Sequence, residues 1–136
     1  MNQRGFATLE VILMVVVIGI LASVAVPRFT DVTTKANTAK IQSDLTTIDT
    51  AIQMYNLETG KYPAAGDIPD DLKKYLMDIP TPPTGSAYIE GKSTDIGDTK
   101  TYAIVKDPNA KEGTDPMPTR GALNSNTAGK FYLPKS

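Results

Sequence analysis

The chain has 136 residues, 15 acidic and 14 basic side chains and a formal net charge of −1, enough for one modest domain and no argument for nucleic acid as a partner. It contains no cysteine and no histidine. That excludes disulfides, thiolate metal sites, cysteine nucleophiles and the commonest general base, and leaves little from which to build an enzyme.

Residues 6–26 form an apolar run of 21 residues whose one charge is Glu10. As a helix the run would measure roughly 32 Å at ~1.5 Å per residue, matching a hydrocarbon core of about 30 Å. Three readings fit: a secretory signal peptide cut near Ser23-Val24-Ala25, a permanent signal anchor, or a segment that leaves the membrane for an assembly. Glu10 separates them. A carboxylate in mid-bilayer costs roughly 2.5–3.5 kcal/mol on insertion scales, and a signal peptide gains nothing from carrying one. The plainer alternative places Glu10 close to the headgroups, at little cost. No positive group lies at the same depth in this helix, so a partner would have to come from elsewhere.

The stretch RGFATLEV (4–11) resembles the processing site of type IV pilins and pseudopilins. A short basic leader ends in Gly5, Phe6 follows, and an acid, Glu10, stands five residues into the mature chain. Ala7-Thr8 occupies the place where many relatives have Thr-Leu. The resemblance implies cleavage between Gly5 and Phe6 by a membrane-embedded prepilin peptidase, and N-methylation of Phe6. Cleavage would create an α-amine at Phe6 inside the apolar zone. The amine of one subunit would pair with Glu10 of a neighbour, and the pair would fix axial register between subunits. Gly19 and Pro27 are the helix breakers of this segment. In pilin-like filaments such a segment is often locally unwound, so a break is expected in the assembled state, while an isolated precursor stays helical.

After Pro27 the pattern turns amphipathic. Phe29, Val32, Ala36 and Ala39, then Ile41, Leu45, Ile48, Ile52 and Tyr55, recur at helical spacing and predict an apolar stripe facing a core. Gly60 and Pro63 predict a stop near Thr59, and YNLETGKYP (55–63) resembles the end of the long helix in the same family. A short helix is expected from Asp67 or Pro69, with Leu72, Tyr75 and Leu76 inward. IPTPPTGSAY (79–88) resembles the linker of secretion pseudopilins, with Thr84 where an aromatic often stands. Strands are expected at Ala87–Glu90, Thr99–Lys106 and Gly129–Leu133.

Oxygen-bearing side chains cluster at Asp107, Asn109, Glu112 and Asp115. Because major pseudopilins of type II secretion hold calcium in the loop before their last strand, these four are the calcium candidates. No EF-hand spacing appears, and a solvated loop explains the cluster as well. Asp70 and Asp71 are adjacent on a helix and cannot easily converge on one substrate. Tyr102, Phe131 and Tyr132 read as core or subunit interface rather than a stacking platform.

These readings give an α+β fold, in which a long N-terminal α-helix packs on a small antiparallel sheet of about three strands. The expected organisation is a leader at 1–5, a hydrophobic membrane and filament-core helix at 6–27, and a head at 28–136. The head divides into an amphipathic helix (28–59), a loop with a short helix (60–85) and a β-region (86–136). The resemblance implies a structural subunit of a homo-oligomeric type IV filament, with a prepilin peptidase, an assembly ATPase and a platform protein as partners. It also implies a single-pass precursor in the cytoplasmic membrane, then an extracytoplasmic filament, either a pilus or a secretion pseudopilus. A membrane-anchored binding protein that never polymerises fits the hydropathy equally well, but leaves Glu10 and the Gly5–Phe6 junction without a role.

Overall fold

The computed structural model describes residues 3–115 and 117–135, with the backbone alone at 26–28. Helix α1 runs from Gln3 to Thr59. It closes as the sequence suggests, on Gly60 in a left-handed conformation (φ 70°), whose N–H reaches the Asn56 carbonyl at 2.8 Å. The chain falls into two compact units, Met1–Thr33 and Thr34–Ser136.

In the second unit α1 supplies one wall of the core. Ile41, Leu45, Ile48, Ala51 and Ile52 are buried there. Full burial contributes roughly 1.5–3 kcal/mol for each of the isoleucines and the leucine. The expected stripe is only half present. Ala36 and Ala39 are exposed, and Thr34 and Thr38 are buried in their stead. At about 100° per residue the two alanines stand roughly opposite Ile41 and Leu45, whereas the threonines continue the buried face. Thr38 tolerates burial because its hydroxyl donates to the Thr34 carbonyl at 2.7 Å and accepts from Tyr88 N at 2.8 Å. Phe29 and Val32, ahead of this unit, are also exposed.

Among the described residues the β-structure comprises two antiparallel sheets. Strands β1 (Gly66–Asp67), β4 (Ala103–Lys106), β5 (Thr119–Leu123) and β6 (Asn126–Thr127) pair in that order, and β2 (Gly85–Ile89) and β3 (Lys92–Gly97) form a hairpin. Both tight connections are two-residue turns with positive φ throughout: Glu90-Gly91 (51°, 76°) and Asn124-Ser125 (48°, 65°), the backbone that matches strand twist. The expected strands at 87–90 and 99–106 correspond to β2 and to the shorter β4. The expected strand at Gly129–Leu133 is not one. A 3₁₀ turn at Ala128–Lys130 stands there instead, and buries Phe131 completely. Four strands, β1, β3, β5 and β6, were not anticipated.

Side chains of α1 hold the β-structure in place. The Asp49 carboxylate accepts from Arg120 Nε (3.1 Å), Arg120 Nη2 (2.7 Å) and the Gly121 backbone N–H (2.7 Å). Gly121 lies so close to the helix that an added Cβ would sit 2.8 Å from Ile48 Cγ2. Asp44 takes the Tyr102 hydroxyl at 2.7 Å and Lys40 at 2.6 Å, and Lys40 also donates to the Thr81 carbonyl at 2.7 Å. Asn37 donates to the Thr84 and Ser86 carbonyls, both at 3.0 Å, so the proline-rich stretch is tied down at three points. Helix α2 (Asp70–Lys73) begins after Pro69 and buries Leu72. Leu76 is buried beyond it, and Tyr75 stacks edge-on to Tyr55 at 6.2 Å while its hydroxyl meets Glu58.

Two consequences are measurable. Gly121→Ala should destabilise the head by about 1–3 kcal/mol through overpacking, seen as a lower midpoint in urea unfolding of the detergent-solubilised protein. Burial, and then the Asp44 hydrogen bond, pushes the Tyr102 phenol well above its ordinary value of 10.0. The folded state therefore holds that proton more tightly than the unfolded chain, so its contribution is complete below about pH 10 and is lost as pH rises further. Tyr102→Phe should flatten the loss of thermal stability between about pH 9 and pH 11.

Candidate functional site

Every described side chain from Gln3 to Val24 is exposed, including Phe6 (62 %), Ile18 (64 %) and Leu21 (65 %). A soluble helix would lay such a surface on a core. Here the helix is long and apolar enough to cross a membrane, and none of its most apolar window is buried. In hydrocarbon, backbone polar groups must be satisfied within the segment, which an α-helix does by construction. The hydroxyls follow the same rule. Ser23 donates to the Ile20 carbonyl at 2.7 Å and Thr8 to the Arg4 carbonyl at 3.0 Å.

Glu10 departs from that rule. Among the described residues its carboxylate makes no hydrogen bond and no ion pair, and the nearest base, Arg4, is six residues away on a different face. Phe6 and Glu10 are four positions apart, one turn away on the same face. Gly5 and Phe6 lie within the first turns of α1, exposed, with open space around the Gly5 Cα. The helix passes through Gly19 and through the backbone of residue 27 without interruption in the single chain, and a Cβ at Gly19 would meet nothing within 4 Å. Leu13, Met14, Val17 and Ile18 line a shallow apolar groove on the same segment.

The four calcium candidates lie in the loop between β4 and β5. Asp107 accepts from the Asn109 backbone N–H at 2.9 Å, a local turn, and its own N–H reaches the Pro118 carbonyl at 2.9 Å. Glu112 and Asp115 are exposed, and among the described residues no three His, Cys, Asp or Glu side chains converge to hold a metal ion. Asp70 and Asp71 serve α2. Hydrogen bonding and charge from Lys73 hold Asp70 below its ordinary value, and Asp71 pairs with Lys74 at 3.9 Å. A cavity of about 350 Å³ lies beside Asp49 and Arg120, lined also by Thr46, Thr50, Gln53 and Asp107. The Asp49–Arg120 pair was not legible in the sequence, because 71 positions separate its members.

No protein-family profile matches the chain, and no solved structure matches it. Individual proteins do. The type II secretion system core protein G of Klebsiella michiganensis is 31% identical over 102 residues, covering 64% of this chain and 72% of that protein. The chain belongs to the type IV pilin and pseudopilin family. Within that family the core protein G of Klebsiella pneumoniae is 41% identical over 62 residues, 46% of this chain and 44% of its own length. The type IV narrow pilus major component PilA5 of Thermus thermophilus is 31% identical over 68 residues, half of this chain and 59% of the relative. The exposed apolar helix and the small antiparallel sheets are those of a pilin-type subunit.

Proposed function

We propose that this protein is a structural subunit of a type IV filament that serves a protein-secretion pseudopilus. The observation that carries the reading is the solitary carboxylate of Glu10, one turn beyond Phe6 in a helix whose other side chains over residues 6–26 carry no charge. A carboxylate costs roughly 2.5–3.5 kcal/mol at a bilayer centre, and a partner of opposite charge offsets that cost. Cleavage between Gly5 and Phe6 supplies the partner, since it leaves an ammonium group on Phe6. The ammonium of one copy meets Glu10 of the next as both leave lipid, and the four-residue offset sets an axial step of about 6 Å. The leader is then 1–5, the stem 6–27 and the head 28–136. A prepilin peptidase trims the precursor in the cytoplasmic membrane, Phe6 is N-methylated, and a platform protein with its ATPase drives assembly into an extracytoplasmic filament. Gly19 and Pro27 permit the helix to open locally once it is packed among its neighbours.

The similarity to secretion core protein G favours the pseudopilus, because that relative is matched over 72% of its length. A surface pilus is the second reading, favoured by the likeness to PilA5. A secretin gene beside this one would decide for secretion.

Mass spectrometry of the cellular protein should find a mature chain that begins at methylated Phe6, and an intact Met1 terminus would remove the reading. Glu10→Ala should remain membrane-resident and processed while filaments disappear. Normal filaments from that variant would sink the pairing, and an unaltered chain that is processed yet never polymerises would point to an anchored binding protein.

A further inference from the structure

We propose that leader removal strips the Thr8 hydroxyl of its acceptor, and that this hydroxyl then binds the Glu10 carboxylate of a neighbouring copy beside the new Phe6 ammonium. The proposal rests on the cleavage and pairing just described.

In the full chain Thr8 Oγ1 donates to the Arg4 carbonyl at 3.0 Å. A threonine within a helix finds its local acceptors three and four residues back, which here means Gly5 and Arg4. Both belong to the leader. Hydrolysis adds water across Gly5–Phe6, leaving a carboxylate on Gly5 and an amine on Phe6, and both carbonyls depart with the released peptide. Hydroxyls further along keep theirs: Ser23 holds the Ile20 carbonyl at 2.7 Å and Thr33 the Phe29 carbonyl at 3.0 Å. Thr8 is the one hydroxyl between Phe6 and Leu21, so it is the one that processing orphans.

An orphaned hydroxyl in hydrocarbon has no water to turn to, and leaving it unpaired is costly. Its own Glu10 cannot accept, because residues two apart stand about 200° apart around the helix. The acceptor must come from another copy. Side chains on a helix tilt toward its N-terminus, which carries the Thr8 hydroxyl to the level of the new chain end. A carboxylate docking there has two oxygens and about four acceptor positions. The ammonium occupies some of them, and a charge pair in an apolar medium is favourable only when the remaining positions are filled. Thr8 fills one. Ala7 offers no side-chain donor, so the task falls to Thr8.

The test expresses the full chain, leader included, with its assembly machinery and compares Thr8→Val with Thr8→Ser. Valine keeps the shape and removes the hydroxyl, while serine keeps the hydroxyl. Processing, by N-terminal mass, and membrane abundance should match the unaltered chain in both variants. Sheared filament yield should fall about tenfold or more in Thr8→Val, as loss of a hydrogen bond to a charged acceptor implies. It should return to within about twofold in Thr8→Ser. Full filament yield from Thr8→Val alongside none from Glu10→Ala would overturn the proposal and leave the pairing intact. So would a serine variant as defective as valine, or a valine variant that stays unprocessed, since Thr8 would then act in leader removal. Normal filaments from Glu10→Ala would take down the pairing and this proposal together.

Discussion

An apolar medium leaves a polar group no partner except one supplied by protein, and the N-terminal half of α1 is built under that constraint. It accounts for the unbroken helical backbone, for the hydroxyls of Thr8 and Ser23 turned back onto carbonyls, and for the absence of charge along residues 11–26. Glu10 is the one violation, and a violation that costs free energy in the membrane has to be returned elsewhere. Under the proposed function the return is the pairing with a neighbouring copy.

The second half of the same helix faces a different medium and solves the same bookkeeping with its own side chains. Asp49 accepts from three donors, Asp44 from two, and no described buried side-chain polar atom is left without a hydrogen-bond partner. The head thus closes internally, while the described side chains before Thr34 bury nothing within the chain. One helix carries both solutions because its residues change from a surface without a core to a surface that makes one.

Much of this was legible in the residues. Glu10 stood out because a charge in an apolar run has few explanations, and Gly5 with Phe6 added a spacing that coincidence rarely reproduces. The register Ile41–Tyr55 and the stop at Gly60 follow from periodicity and backbone chemistry alone. The β-region was harder, for identifiable reasons. Strand β5, TRGAL, shows no apolar alternation because Arg120 is neutralised by a helix residue and Gly121 is selected for closeness to Ile48. Strand β3 is polar because its side chains are exposed almost throughout. Phe131 and Tyr132 resembled a strand, yet Phe131 is an anchor in the core at the end of a 3₁₀ turn. Thr34 and Thr38 lie outside the stripe that apolar spacing predicts, since nothing in a sequence shows that a buried hydroxyl has found its partners.

The row of contacts between α1 and the strands also has a mechanical meaning. Tyr88 and the proline-rich stretch are held by Asn37, Thr38 and Lys40, β4 by Asp44, and β5 by Asp49, while Tyr55 stacks on Tyr75. From Asn37 to Tyr55 these attachments span about 27 Å of helix. A pull along the axis of α1 therefore loads them side by side, in shear, and no single bond sits at a tip where peeling could begin. A subunit extracted by its helix would bring its head with it intact.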